Sequence, residues 1–230
     1  MKMSVSRFAA GALVACMYAG SSNAALLALG DDASAAVGLG FNFDFFGSSY
    51  NTINVNSNGN ITFGTGDTDF SESVSEFLSD QPRIAGWWDD LNPAAGGSVD
   101  ATGDANSMVV TFTGVPQFAN TDSNNFSITL FSDGAIEIFL DRLTSTDGIV
   151  GISAGGGIAD PGPTDFSAVA GPYSASTTRY ELFNGSFDLN QTTLRFEPTA
   201  VTVPVPATLA LVAIGMVGFR SRQKWLTANS

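Results

Sequence analysis

The stretch Ile53–Phe63, INVNSNGNITF, sets two apolar pairs around a polar centre that ends in Gly59-Asn60. A two-residue Asn58-Gly59 loop would place Val55 opposite Thr62 and turn Ile61 and Phe63 to the wrong face. A three-residue loop, Ser57 to Gly59, instead pairs Val55 with Ile61 and Ile53 with Phe63, so that all four apolar side chains share one face. Side chains alternate along a strand, so a slip of one residue inverts the whole set, and a buried face therefore dictates register. The segment predicts a hairpin with a three-residue loop, Gly59 taking the left-handed conformation of a bulge.

The same period runs outward from this hairpin. Phe41, Phe43 and Phe45 alternate with Asn42 and Asp44, and comparable runs follow in MVVTFTGV from Met108, FSITLFSDGAIEIFL from Phe126, GIVGISAG from Gly148 and TTLRFEP from Thr192. Strict alternation is the mark of a half-buried strand. Asp133-Gly134 supplies a second turn, flanked by Ile128, Leu130, Ile136 and Ile138. Sustained helical periodicity is missing from this region, and only SESVSEFL from Ser71 allows a helical turn. Antiparallel hairpins with little helix predict an all-β fold, an antiparallel β-sandwich of one domain at residues 25–200.

The two ends read differently. Lys2 and Arg7 precede an apolar stretch from Phe8 to Ala19 that closes on Ser22-Asn23-Ala24. That order predicts a secretory signal peptide at residues 1–24, cut after Ala24. A rival parse, Leu13-Val14-Ala15-Cys16, has the form of a lipoprotein cleavage box with Cys16 as the lipidated residue. At residues 201–230, Pro204 and Pro206 are followed by an apolar run from Ala207 to Phe219 and by Arg220, Arg222 and Lys224. As a helix the run spans roughly 20 Å, against about 30 Å of bilayer hydrocarbon. Prolines are tolerated at a helix start, where N–H groups lack intrahelical partners. The basic cluster would stay cytoplasmic and snorkel to make up part of the missing length. The expectation is a short C-terminal transmembrane helix outside the domain, holding the exported chain transiently at the inner membrane.

Composition removes whole classes of chemistry. The single cysteine, Cys16, lies in the signal peptide, there is no histidine, and lysine occurs only at positions 2 and 224. Cys/His and Ser/His nucleophiles, Schiff bases and Cys/His zinc sites are excluded from the exported domain. From Ala25 to Val203 all 22 acidic residues stand against four arginines, a net charge of −18, which argues against nucleic acid and anionic lipid as partners. Paired carboxylates acting on a sugar remain open.

Asp89 and Asp90, after Trp87-Trp88, are the candidate calcium ligands; the competing reading makes them turn formers that accept hydrogen bonds from the backbone that follows. Asn120, Asp122 and Asn124 begin like a calcium loop but have Asn125 and Phe131 where an EF-hand needs Gly and Glu. Gly155-Gly156-Gly157 reads as a turn rather than a phosphate cradle. Trp87 and Trp88 could offer a sugar-stacking platform, although adjacent strand positions should turn one of them to the core.

GFNFDFFGSSYNTINVNSNGNITFG, then RIAGWWDDLNP, FSITLFSDGAIEIF and VGISAGGG, in this order between about Gly38 and Phe196, resemble the nidogen-type extracellular (NIDO-like) domain. The resemblance implies an extracellular matrix or adhesive setting and no established catalytic residues. VPVPATLALVAIGMVGFRSRQK resembles the PEP-CTERM sorting signal, with Val205 where that pattern has Glu. It implies capture by exosortase in a bacterium that also makes exopolysaccharide. Together these readings expect a secreted, non-enzymatic surface or matrix protein in adhesion, biofilm or exopolysaccharide association, with no cofactor beyond a possible calcium ion. The alternative is a secreted glycan-active enzyme working through paired carboxylates.

Overall fold

A computed structural model describes residues 23–199. Residues 1–22 of the expected signal peptide, with Cys16, and the tail with its expected helix and its residues Pro204, Pro206, Arg220, Arg222 and Lys224 lie outside the described residues, while Asn23 and Ala24, on the near side of the expected cut, stand in the first strand. Among the described residues no helix is long and apolar enough to cross a membrane.

The strands in chain order are β1 (Asn23–Leu27), β2 (Ser34–Phe45), β3 (Ser48–Asn56) and β4 (Asn60–Thr62), then the helix α1 (Val74–Ser79). There follow β5 (Arg83–Trp88), β6 (Ser98–Gly103), β7 (Ser107–Val115), β8 (Asn124–Phe131) and β9 (Ile136–Arg142). The last four are β10 (Asp147–Ser153), β11 (Tyr173–Ser174), β12 (Arg179–Asn184) and β13 (Thr192–Glu197). They form two sheets, ordered β1-β6-β7-β8-β9-β13-β11 and β12-β10-β5-β4-β3-β2. Every pairing is antiparallel except β11 with β13.

The β3–β4 hairpin adopts the three-residue register: Val55 pairs with Ile61, and Asn56 with Asn60. Gly59 has φ +78°. Phe63 leaves the ladder, its N–H donating to Pro82 O at 3.0 Å, so the expected Ile53–Phe63 pairing gives way to a shared place in the core. Ile53, Val55, Ile61 and Phe63 are all buried. The second hairpin also holds, with Ile128 paired to Ile138 and Leu130 to Ile136 around Gly134 at φ +90°. Each large apolar side chain buried this way contributes about 1.5–3 kcal/mol, and alternation sends them all to the same intersheet layer.

Between the sheets lies the main apolar cluster, which includes Phe43, Phe45, Phe63, Trp87, Phe112, Phe126 and Phe196. The sheets approach closely where Gly86 of β5 meets β8: a Cβ there would stand 2.7 Å from the Phe126 ring. A second cluster forms on the outer side of β5, where Phe77 and Leu78 of α1 cover Ala85, Trp88, Ile149 and Tyr180.

This second cluster corrects the expectation of a tryptophan platform. Trp87 and Trp88 are both fully buried, one in each cluster. β5 takes three steps from Ala85 to Trp88 while β10 takes two from Gly151 to Ile149, and the N–H groups of Gly86 and Trp87 both donate to Gly59 O at 3.1 Å. Two residues opposing one is a bulge, and it aims Trp87 inward and Trp88 outward beneath the helix. Neither ring is available to a sugar.

The helix is closed at both ends by the sequence that flanks it. Ser73 is the N-cap, its Oγ accepting from Glu76 N at 3.2 Å. At the other end the triglycine turn, with φ between +62° and +81°, donates from Gly156 N to Asp80 O at 2.7 Å and from Gly157 N to Leu78 O at 3.0 Å. Gly155-Gly156-Gly157 is a turn, as its composition suggests, and these two N–H groups go to the carbonyls that the helix leaves unpaired.

Candidate functional site

Acidic residues gather where β5 ends, beside the β1–β2 turn and the β3–β4 hairpin. The organiser is Asn58, a fully buried amide on the hairpin loop. Its Nδ2 donates to Asp32 Oδ1 and to Asp69 O, each at 3.0 Å, and its Oδ1 accepts from Leu91 N at 3.1 Å. Its carbonyl accepts from Asp89 N at 3.3 Å. One side chain thus holds three separate loops in place, and a buried amide must find such partners because leaving them unmade is costly.

Asp89 and Asp90 part company here. Asp89 is 2 % exposed. Its Oδ2 accepts from Trp87 Nε1 at 3.1 Å and from Gln117 Nε2 at 2.8 Å, and its Oδ1 accepts from Asp90 N at 2.7 Å. It therefore accepts from the turn that follows, and it also fixes the indole of Trp87, whose N–H is shared with Ser145 Oγ at 2.5 Å. Burial pushes the Asp89 carboxyl up to about 6, against the lowering effect of its hydrogen bonds and with help from the nearby charge of Asp147.

Asp90 instead meets Asp31 and Asp32, with one carboxylate oxygen from each lying within 4.8 Å of the others. Burial raises the carboxyl of Asp90, and the charges of Asp32 and Asp31 raise it further. The Asp31 carboxyl is raised by desolvation and then by Asp32. Three hard oxygen donors suit calcium or magnesium and no softer metal, and a full calcium shell of 6–8 oxygens would need water or bidentate binding to complete it. Of the two sequence candidates, Asp90 belongs to this set, while Asp89 spends its oxygens on Trp87, Gln117 and the backbone. Asp31-Asp32 escaped the sequence reading. Its signal is an acidic pair between two apolar runs, which by itself marks only a turn.

Glu72, in the loop before α1, completes the acidic end. Burial raises its carboxyl to about 7, and the charges of Asp89, Asp147 and Asp90 add to the rise. Gln117 bridges the group, its Nε2 lying 2.8 Å from Asp89 and 3.4 Å from Asp147 Oδ1. The other calcium-like series is structural: Asn124 is buried, donates to Val115 O at 3.1 Å and accepts from Thr144 N and Ser145 N at 2.9 and 3.1 Å. Asp122 accepts from Gln117 N at 2.8 Å. The buried cation Arg83 is equally committed, paired with Asp67 at 2.7 Å and Asp80 at 3.2 Å and lying 4.2 Å over the Trp88 ring.

Comparison with known families gives two matches. The family described as NIDO related matches residues 10–198, and the PEP-CTERM protein-sorting motif matches residues 202–224. No curated protein and no solved structure gives a significant match.

Proposed function

The chain belongs to the NIDO-related family, and from that premise we propose that it is a non-enzymatic surface or matrix protein that works in adhesion or biofilm structure by associating with exopolysaccharide. Its sorting motif makes it an exported, exosortase-sorted protein directed to the cell surface. The observation that carries the proposal is the pairing of a sorting tail with a β-sandwich whose buried polar side chains are committed to structure. Asn58, Asp89 and Asn124 are held by hydrogen-bond partners within the domain, and Arg83 by two ion pairs. Binding by display on a rigid face fits such a scaffold, and the tail supplies delivery, with the inner membrane a transient station.

Two experiments test this. Deleting residues 203–230 in the producing cell is expected to move the protein from the surface fraction to the soluble exported fraction without changing its melting temperature; unchanged surface retention would defeat the sorting role of the tail. The enzymatic alternative has its best support in Glu72, whose raised carboxyl beside Asp147 is the kind of group that can donate a proton. Incubation with the producer's own exopolysaccharide is expected to release no reducing ends. Turnover abolished by Glu72→Gln or Asp147→Asn would establish the enzyme instead.

A further inference from the structure

We propose that the large bulge in β2 builds a subsite for a neutral oligosaccharide on the solvent-facing side of the β2–β3 pair. The inference rests on the surface-protein reading above and gives it a place on the molecule. β2 takes five steps from Gly38 to Phe43 while β3 takes two from Thr52 to Tyr50. Leu39, Gly40, Phe41 and Asn42 therefore have no ladder partner in β3, and β2 is the outermost strand of its sheet. The looped-out backbone and the strand beside it border two adjoining open depressions of about 420 and 520 Å³, which share Asn42, Asn51 and Thr52 in their lining. Volumes of this order are those of small-molecule sites.

The lining selects the ligand. The hydrogen-bonding side chains are Asn42, Ser49, Tyr50, Asn51, Thr52 and Asn54, and no charged residue lines either depression. Amides and hydroxyls both donate and accept, as sugar hydroxyls do. The Asn42 and Asn54 amides and the Ser49 and Tyr50 hydroxyls form no hydrogen bond among the described residues, while Thr52 Oγ1 donates to Asn51 Oδ1 at 3.2 Å. A metal ion would find no carboxylate here, and the apolar contribution of Phe41 is flanked by amides and hydroxyls that an acyl chain would leave unpaired. An anionic glycan would find no cation, and it would face a domain carrying −18. A neutral polyhydroxylated chain meets none of these objections. The shelf is also rigid: the Tyr50 ring lies 4.8 Å from that of Phe63, which stacks on Phe45 at 4.5 Å. Groups carried on strands backed by packed rings keep their geometry better than groups on loops.

The test is affinity electrophoresis of the full chain through gels containing hydroxyethylcellulose, dextran or galactomannan, with alginate as the anionic comparison. Retardation by at least one neutral polysaccharide and none by alginate is expected. Asn42→Ala/Asn54→Ala should weaken that retardation at least tenfold with an unchanged melting temperature, and Asn42→Asp, an exposed single change, should do the same by adding a charge. Asp31→Asn/Asp90→Asn at the acidic end should leave it intact. Retardation that survives both Asn42 variants, or a wild type retarded by no neutral polysaccharide, overturns the subsite. Cell fractionation of Asn42→Ala/Asn54→Ala separates the two levels: the variant should stay at the surface, and a failed subsite with surface retention leaves the sorting reading standing.

Discussion

Gly59 shows how much a single position can be asked to do. Its φ of +78° is one that L side chains rarely adopt, its carbonyl receives two N–H groups from the β5 bulge, and a Cβ placed on it would lie 1.7 Å from Trp87 O. That contact is with backbone and has no way to relax, so Gly59→Ala is expected to cost about 3 kcal/mol or more, or to prevent folding. Gly47 has φ +83° but nothing within 4 Å of where a methyl group would stand, so Gly47→Ala should cost only the conformational strain, about 1–2 kcal/mol. Urea denaturation of both variants separates steric from conformational cost; equal losses would show that the close approach to Trp87 is not what requires glycine at position 59. Local pattern reveals the first requirement, because a three-residue hairpin needs a residue at positive φ. The second depends on β5 lying against the loop, which no property of residues 53–63 announces.

At the scale of elements, α1 is only six residues long and owes its existence to packing, since helices this short have little stability of their own. Phe77 is fully buried, with its ring 6.5 Å from Trp88 and 5.6 Å from Tyr180. Phe77→Ala is expected to cost about 3–5 kcal/mol and to red-shift the tryptophan emission as Trp88 loses its cover. A stable variant with unshifted emission would mean that the helix is not what buries Trp88. The helical turn was legible from SESVSEFL, as were the strands on either side. The use of the triglycine turn to bind its last carbonyls was not, because Gly156 and Asp80 are neighbours only after β10 has paired with β5.

At the scale of the whole molecule, negative charge sets the response to pH and salt. In the folded state Asp89 and Glu72 titrate near 6 and 7, above their ordinary 3.8 and 4.5, so between about pH 4 and pH 7 the folded chain holds more protons than the unfolded one. Unfolding free energy therefore falls as pH rises through that window, by about 2 kcal/mol for Asp89 and by less for the half-exposed Glu72, where solvent screens the effect. Melting temperature should be higher at pH 5 than at pH 7.5, and Glu72→Gln should flatten the upper part of the slope. A melting temperature that climbs with pH over this range would contradict the burial of both carboxyls. Repulsion among Asp31, Asp32 and Asp90 makes a separate prediction. Asp31→Asn should raise the melting temperature by about 2 °C in low salt, and the gain should fade in about 0.5 M sodium chloride as screening takes over. A gain equal at both salt concentrations would not be electrostatic.

Strand faces, the first hairpin's register next to its loop, the second hairpin's turn and the helical turn were all readable in the chain, because period-2 alternation and positive-φ turn residues are local properties. The NIDO-related domain and the sorting motif that follows it were readable for the same reason. Tertiary structure alone decided the rest. It brought Asp31 and Asp32 to Asp90, buried both tryptophans in separate clusters, and opened a five-against-two bulge in β2 over an uncharged shelf. Alternation states which face a side chain takes but not what will cover that face. Which strands meet is settled by the fit of two apolar layers and by the loops that must close to join them, and both belong to the folded chain as a whole.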